Sequence, residues 1–430
     1  MLRDMKGSGA EWIGDIPSTW KVCDLKRTCS IKTGNTPSKA DGNQNFSDID
    51  GLPWIKAENL DSFYPIHKTN EYLTKAGENL ARIFPPFTVF VCCIASVGKV
   101  GFSDIRISCN QQINGLTFDE NKIFWKYGYY AMKAAADEHI AKANVSVQMI
   151  INSSQESYIK IPIPSLGEQM EIVSFIDNKC SKIDEAISRH ESIIKKLEDY
   201  RKVIIKKSVT RGLNPDVVHK NTNNTYFEQI PAHWDLRRNK YIFRIKKDIA
   251  GQEGLTVLSI TQNGIVPKNI ESNEGQIAAS YKNYQLVNTG DFAMNHMDLL
   301  TGWVDISKYN GVTSPDYRVF VFREPELHNA QYFLYIMQMC YFEKIFYGLG
   351  AGVSGLGRWR LQAPVFNDFK IPVPPKDEQD KIVDYLDAKC SKIDEAISRQ
   401  KEAIAKLQEY RKSIIYHAVT GKIDCRKEVS

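Results

Sequence analysis

The side chains of this chain that could do chemistry stand on short polar stretches punctuated by glycine. Thr33-Gly34-Asn35-Thr36-Pro37 lies between Lys32 and Lys39, with Lys56 further on, and Ser96-Val97-Gly98-Lys99 precedes Asn110-Gln111. In the second half, Asn295-His296-Met297, the run from Ser307 to Pro315, Arg318, and the glycine-rich run Gly348 to Gly357 ahead of Arg358-Trp359-Arg360 have the same character. Amides, hydroxyls and cationic groups on such loops suit hydrogen bonding and anion contact, and glycine lets backbone N–H groups come close to a phosphate. A glycine-rich run by itself reads equally well as a plain loop.

Bond-making chemistry needs tighter constellations. A phosphate loop requires G-x-x-x-x-G-K-[ST], but Gly98-Lys99 and Gly421-Lys422 both lack the upstream glycine. No Asn-Pro-Pro-Tyr or Asp-Pro-Pro-Tyr run is present to hold a flipped adenine. Asp104 with Glu120-Asn121-Lys122 can be fitted to a nuclease carboxylate pattern, with nothing else to support it. No Ser/His/Asp set stands out. The nine cysteines include no C-x-x-C pair, and adjacent Cys92-Cys93 make a poor metal cage. The expectation is no catalytic residue, no metal ligand and no cofactor on this chain, with reduced thiols as in a cytoplasmic protein.

At 430 residues the chain has room for about three domains. A hydrophobic fraction of 43% and a charged fraction of 25% fit an ordinary globular protein. A net charge of +5 permits a nucleic-acid partner without demanding one. The opening residues lack the apolar core of a signal peptide, and no run approaches the ~18 apolar residues of a membrane span. A cytoplasmic location with no membrane partner is expected.

What must position the polar loops is a duplicated frame. Lys179 to Arg189 reads KCSKIDEAISR, and the same residues return at Lys389 to Arg399. The match runs from Ile161-Pro162-Ile163-Pro164 (again as Ile371-Pro372-Val373-Pro374) through Glu168-Gln169 (Glu378-Gln379) to Val209-Thr210 (Val419-Thr420). Upstream, Trp12 to Trp20 (WIGDIPSTW) is echoed by Tyr226 to Trp234 (YFEQIPAHW). The bodies between, Lys21 to Tyr158 and Asp235 to Asp368, show no such likeness. Like frames around unlike bodies describe one scaffold carrying two specificities.

The bodies read as mixed α and β. Strands are expected at Trp54-Ile55, Thr88 to Val91, Gly115 to Phe118, Thr256 to Ile260 and Tyr317 to Phe322, and helices at Trp125 to Glu138 and Ala330 to Phe346. Arg211 to Thr225 is polar enough for a linker. After each Ile-Pro-x-Pro a long helix is expected. Its apolar seam is Ile183, Ile187, Ile194, Leu197 and Ile204 in the first copy, and Ile393, Ile397, Ile404, Leu407 and Ile414 in the second. A repeat of 3.5 over about five heptads predicts a coiled coil, most simply of one copy on the other, antiparallel, with His190 and Gln400 as polar seam positions. The fold class is α+β: two mixed α/β domains, 1–160 and 213–370, separated by helices 161–212 and 371–430 in an antiparallel coiled coil with an internal pseudo-two-fold repeat.

This arrangement resembles the DNA specificity subunit of type I restriction–modification systems, over essentially the whole chain. The Ile-Pro-x-x-Trp approaches, the Ile-Pro-x-Pro-x3-Glu-Gln exits, the Ile-Asp-Glu-Ala-Ile helices and the endings Ser208-Val209-Thr210 and Ala418-Val419-Thr420-Gly421-Lys422 carry the likeness. Thr33 to Pro37, Ser96 to Lys99 and Asn110-Gln111 look like the family's first-body pattern, and Asn295-His296-Met297 and Ser307 to Pro315 like a second common body type. The resemblance implies two target recognition domains, each reading half of a split, asymmetric duplex DNA site, with the coiled coil as the ruler of the spacer. It implies two adenine methyltransferase subunits and motor–nuclease restriction subunits as partners. S-adenosylmethionine, ATP and Mg would sit on those partners only. DNA contact would fall to Lys32, Thr33, Thr36, Lys39, Lys56, Ser96, Lys99, Asn110 and Gln111 in the first domain. In the second it would fall to Asn295, Lys308, Tyr309, Ser314, Arg318, Arg358 and Arg360. Amides and hydroxyls would reach base edges, and cations would hold phosphates. A bivalent protein adaptor would keep the paired helices without DNA; duplex affinity that falls steeply with salt separates the two.

Overall fold

The computed structural model describes residues 3–39, 44–145, 148–269, 278–352 and 359–427. The chain divides into two compact units, Met1–His190 with Glu402–Ser430, and Glu191–Lys401. Each of the two long helices, Leu166–Arg211 and Lys376–Val419, therefore gives one part of its length to each unit.

Both units use one frame. In the first, Met5–Gly7 pairs antiparallel with Asp15–Pro17, and Lys21–Asp24 with Lys160–Ile163. In the second, His219–Asn221 pairs with Gln229–Pro231, and Asp235–Arg238 with Lys370–Val373. The repeated motifs are the joints. The buried indole of Trp20 donates to Glu168 at 2.8 Å, and that of Trp234 to Glu378 at 2.9 Å. The next residue closes the helix start. Gln169 donates to the Pro164 carbonyl (3.1 Å) and accepts from the Phe124 N–H (2.8 Å). Gln379 repeats this with Pro374 (2.9 Å) and Asn329 (2.8 Å). Tyr127 donates to the carbonyls of Pro162 (3.0 Å) and Val419 (3.3 Å), and Tyr332 to those of Pro372 (3.4 Å) and Val209 (3.2 Å). The Val-Thr endings recur because each closes a unit. Buried polar groups so fully matched explain why these residue types return unchanged.

The bodies differ. The first unit holds an antiparallel sheet in the order Val100–Ser103, Thr88–Cys92, Ile113–Phe118, Cys29–Thr33, and a second sheet in which Ile107–Cys109 runs parallel to Leu52–Ile55. The second unit's main sheet runs Phe243–Lys246, Arg318–Phe322, Phe292–Met294, Val304–Ile306. The expected strands fall in these elements or in the Leu258–Thr261 hairpin, where the strand starts two residues later than Thr256. The helix from Trp125 breaks after Ala134 and resumes as Ala136–Lys142. The one from Ala330 ends at Phe342, because Lys344 turns left-handed at φ 57°. The polar linker contains the strand His219–Asn221, three residues being too few to show a period.

The long helices contain 46 and 44 residues, and glycines at φ +73° (Gly212) and +74° (Gly421) stand just past their ends. In the first unit Ile183 and Ile414 share an apolar cluster, with Ile187 and Leu407 packed on it. In the second, Ile204, Ile393 and Ile397 share another, with Ile194 and Leu197 against it. Ile404, His190 and Gln400 are partly buried. Asp184 pairs with Arg411 in the first unit and Arg201 with Asp394 in the second. In the first unit Tyr127 also ties the start of one helix, at Pro162, to the end of the other, at Val419, so the segments packed there run antiparallel. In the second, Tyr332 does the same for Pro372 and Val209.

Candidate nucleic-acid interface

In the first unit, the loop after strand Cys29–Thr33 lies against the turn after Ile107–Cys109. The Gly34 N–H donates to the Ile113 carbonyl (2.9 Å) and the Asn35 N–H to that of Cys109 (3.0 Å). A Cβ on Gly34 would come within 2.3 Å of the Cys109 carbonyl, so only glycine fits there. Thr36 donates to Gln111, and both are exposed. Thr33 instead donates to Asn114 at 2.8 Å, while Lys32 is exposed. Asn110 is buried and bonded to Gln112. It shapes the turn and does not present its amide outward, contrary to the expected base contact. Ser96 and Lys99, both partly buried, form a separate tight turn.

Lys39 and Lys56 converge on one carboxylate. Their ammonium groups lie 2.6 and 2.5 Å from the two oxygens of Glu71, over the rings of Phe46 and Trp54. The hydrogen bond from Lys39, then that from Lys56, holds the Glu71 carboxyl below its usual range. Glu71→Gln is expected to free both cations and tighten duplex binding several-fold at low salt. The salt slope should grow by up to ~2, at ~0.9 per phosphate contact. Fluorescence anisotropy across a salt series measures this; an unchanged slope contradicts it.

In the second unit, Asn295 and Ser314 line one cleft of about 690 Å³, walled by Tyr281, Tyr284, Tyr347 and Trp359. Lys308, Tyr309 and Arg360 are exposed. Arg358 lies outside the described residues, as do positions 353–357 of the glycine-rich run. Arg318 departs from expectation. It is 4% exposed, donates to the Leu361 carbonyl at 2.8 Å and lies over Phe366 at 4.7 Å. Burial lowers its guanidinium to about 10. It braces the strand end and is not available to a phosphate.

His296 is partly buried near Arg318 and Arg360; burial first, then those two cations, lowers its imidazole to about 3. The folded value is below the unfolded 6.5, so the neutral ring contributes stability above pH 6.5 that is lost as pH falls toward 3. His296→Gln should flatten this loss. Urea midpoints at about pH 7 and pH 4.5 test it, and an equal drop in both proteins contradicts it.

The nuclease-like carboxylates are not assembled: Asp104 is bound by His67 at 2.6 Å, and Lys122 by Asp119 at 2.9 Å. Burial pushes the Cys93 thiol up to about 12, away from nucleophilic use. Among the described residues, no helix is long and apolar enough to cross a membrane.

The model of the type I restriction modification DNA specificity domain matches residues 17–199 and again 231–406. The chain belongs to this specificity family. It is similar to the putative type I restriction enzyme MjaX specificity subunit of Methanocaldococcus jannaschii, at 25% identity over 96% of this chain and 95% of that protein. It is also similar to the HindI specificity subunit of Haemophilus influenzae, at 27% identity over 44% and 41%. A chain from a solved type I R-M system, studied for complex assembly and conformational transition, shares the fold at TM-score 0.63 and 14% identity, over 95% of this chain and 99% of that one. For a specificity subunit, two residues that sequence reading passes over matter to the loops. One is Glu71. The other is Arg82, whose guanidinium donates to the Thr33 carbonyl while its backbone N–H donates to the Asn35 side chain at 2.6 Å. Both act across 15 to 49 residues of chain, where no local pattern points.

Proposed function

We propose that this chain is the non-catalytic targeting subunit of a type I restriction–modification complex, reading a bipartite, asymmetric duplex site with one half per unit. The observation that carries the reading is the set of Trp–Glu, Gln and Tyr joints made twice, around loops that share no sequence. Exposed Thr36, Gln111, Lys32 and Lys308, with Asn295 and Ser314 in their cleft, supply donors and acceptors for bases; freed lysines meet phosphates. The long helices pair as an antiparallel coiled coil whose length sets the spacer. Forty-six residues span ~69 Å at ~1.5 Å each, against ~34 Å per turn of B-DNA.

Two adenine methyltransferase subunits dock on the duplicated frame. Ser181, Lys182, Glu185 and Arg189 are exposed and recur as exposed Ser391, Lys392, Glu395 and Arg399. Packing does not demand identity at exposed positions; one partner used twice does. Motor–nuclease subunits join them, S-adenosylmethionine, ATP and Mg are held by these partners, and the complex works in the cytoplasm. The purified chain with S-adenosylmethionine should leave DNA unmethylated, and adding the methyltransferase subunit should start transfer. Methyl transfer by the chain alone would sink the reading.

A further inference from the structure

We infer that the second unit keeps an open socket for an aromatic side chain of a docking protein, at the place the first unit fills with its own Phe63. This rests on the docking reading above and adds where, and to which of the two units, a partner anchors.

Helices Trp125–Ala134 and Ala330–Phe342 hold equivalent places. Beyond the Tyr127 and Tyr332 joints, Tyr130 donates to Asp177 at 2.6 Å and Tyr335 to Asp387 at 2.6 Å. On this correspondence Lys133 matches Gln338, and on the long helices Cys180 matches Cys390 and Arg411 matches Arg201. In the first unit the seat among these residues is occupied by the segment Asp61 to Tyr64. Phe63 lies under the Arg411 guanidinium at 4.5 Å and the Lys133 ammonium at 4.7 Å. Asp61 pairs with Lys133 at 2.9 Å, Tyr129 donates to the Ser62 carbonyl at 3.0 Å, and Tyr64 donates to Asp184 at 3.2 Å.

In the second unit, Arg201, Tyr335, Gln338 and Cys390 line a cavity of about 460 Å³ instead, with Ile205 and Trp303 as apolar walls. Exposure follows. The side chain of Arg411 is 9% exposed, that of Arg201 30%; Asp184 is 29% exposed, Asp394 64%. Cys180 is buried, and Cys390 is not fully so.

The filled seat shows which occupant the open one fits: a ring that lies on a guanidinium, carried by a segment with a neighbouring acid. Arg201 and Lys202 at the cavity favour such an acidic aromatic segment. Duplex DNA would have to unstack a base to supply a ring and would bring phosphates toward Glu198 and Asp394. The occupant is therefore an aromatic side chain on the surface of a docking protein. The duplicated frame receives two copies of one partner, and the copy on the second unit gains an anchor that the copy on the first cannot have.

Gln338→Phe fills the socket from within, and Gln262→Trp covers its mouth from an exposed position. Titration of the full chain with its methyltransferase subunit, followed by calorimetry, should show one of two binding events weakened about 10- to 30-fold in both variants, as for loss of one aromatic anchor. Melting midpoints check folding; if Gln338→Phe unfolds, Gln262→Trp decides. Unchanged affinities, or equal weakening of both events, overturn the socket while leaving docking intact. A wild-type chain that takes up no methyltransferase overturns the docking reading, and the socket with it.

Discussion

Removing one heptad from each long helix, residues 190–196 and 399–405, is expected to shorten the spacer and leave both half-site sequences unchanged. The two segments lie between Asp184 and Arg201 on the first helix and between Asp394 and Arg411 on the second. Seven residues preserve a 3.5-residue seam, so Ile187, Leu197 and Leu407 stay in phase. The loss of rise is ~10 Å, equivalent to up to ~3 base pairs at ~3.4 Å each. Three base pairs also turn the duplex by ~100° at ~10.5 per turn, while seven residues turn the helix by only ~20°. The variant should therefore accept a shorter spacer at reduced affinity. Selection of bound duplexes from a library of spacers reads this out. Altered half-sites with an unchanged spacer would remove the ruler from the account.

Trp234→Ala is expected to cost the second unit about 3–5 kcal/mol, the usual effect of emptying a buried aromatic position. The indole is fully buried among Phe227, Ile230 and Ile371, and its N–H is bound by Glu378. Single domains are stable by only about 5–15 kcal/mol, so recognition of one half-site should fail first. Trp234→Phe keeps most of the packing and loses the hydrogen bond, for about 1 kcal/mol. His233, 2.8 Å from Glu378, still holds that carboxylate. Denaturant unfolding distinguishes the two substitutions. A Trp234→Ala effect below about 1 kcal/mol would show that the motif does not anchor the frame.

The frame was legible because its joints are made twice. Trp20 and Trp234 return at an offset of 214 residues, and Gln169 and Gln379 and the helix endings at 210, and the structure gives each a bonding partner. The apolar helix positions were legible too, since Ile183 and Ile414 enter one core and Ile204, Ile393 and Ile397 the other. The loops were legible only as places. Thr36 and Gln111 come together, which neither stretch alone could show, and Asn110 and Arg318 turn inward. Composition cannot distinguish a polar side chain that faces solvent from one that braces a turn, because the decision lies with distant carbonyls such as Leu361. The Glu71 clamp on Lys39 and Lys56 and the Phe63 seat were invisible for the same reason. Each depends on a partner from another part of the body, and the bodies have no second copy to compare.

Two unlike readers on one duplicated frame should specify a split DNA site. The most direct measurement is the methylome of a host with and without this gene. One asymmetric, bipartite adenine-methylation motif is expected to disappear with the gene, its two halves separated by a fixed unspecified spacer. A methylome that does not change, or the loss of a single contiguous motif, would contradict it.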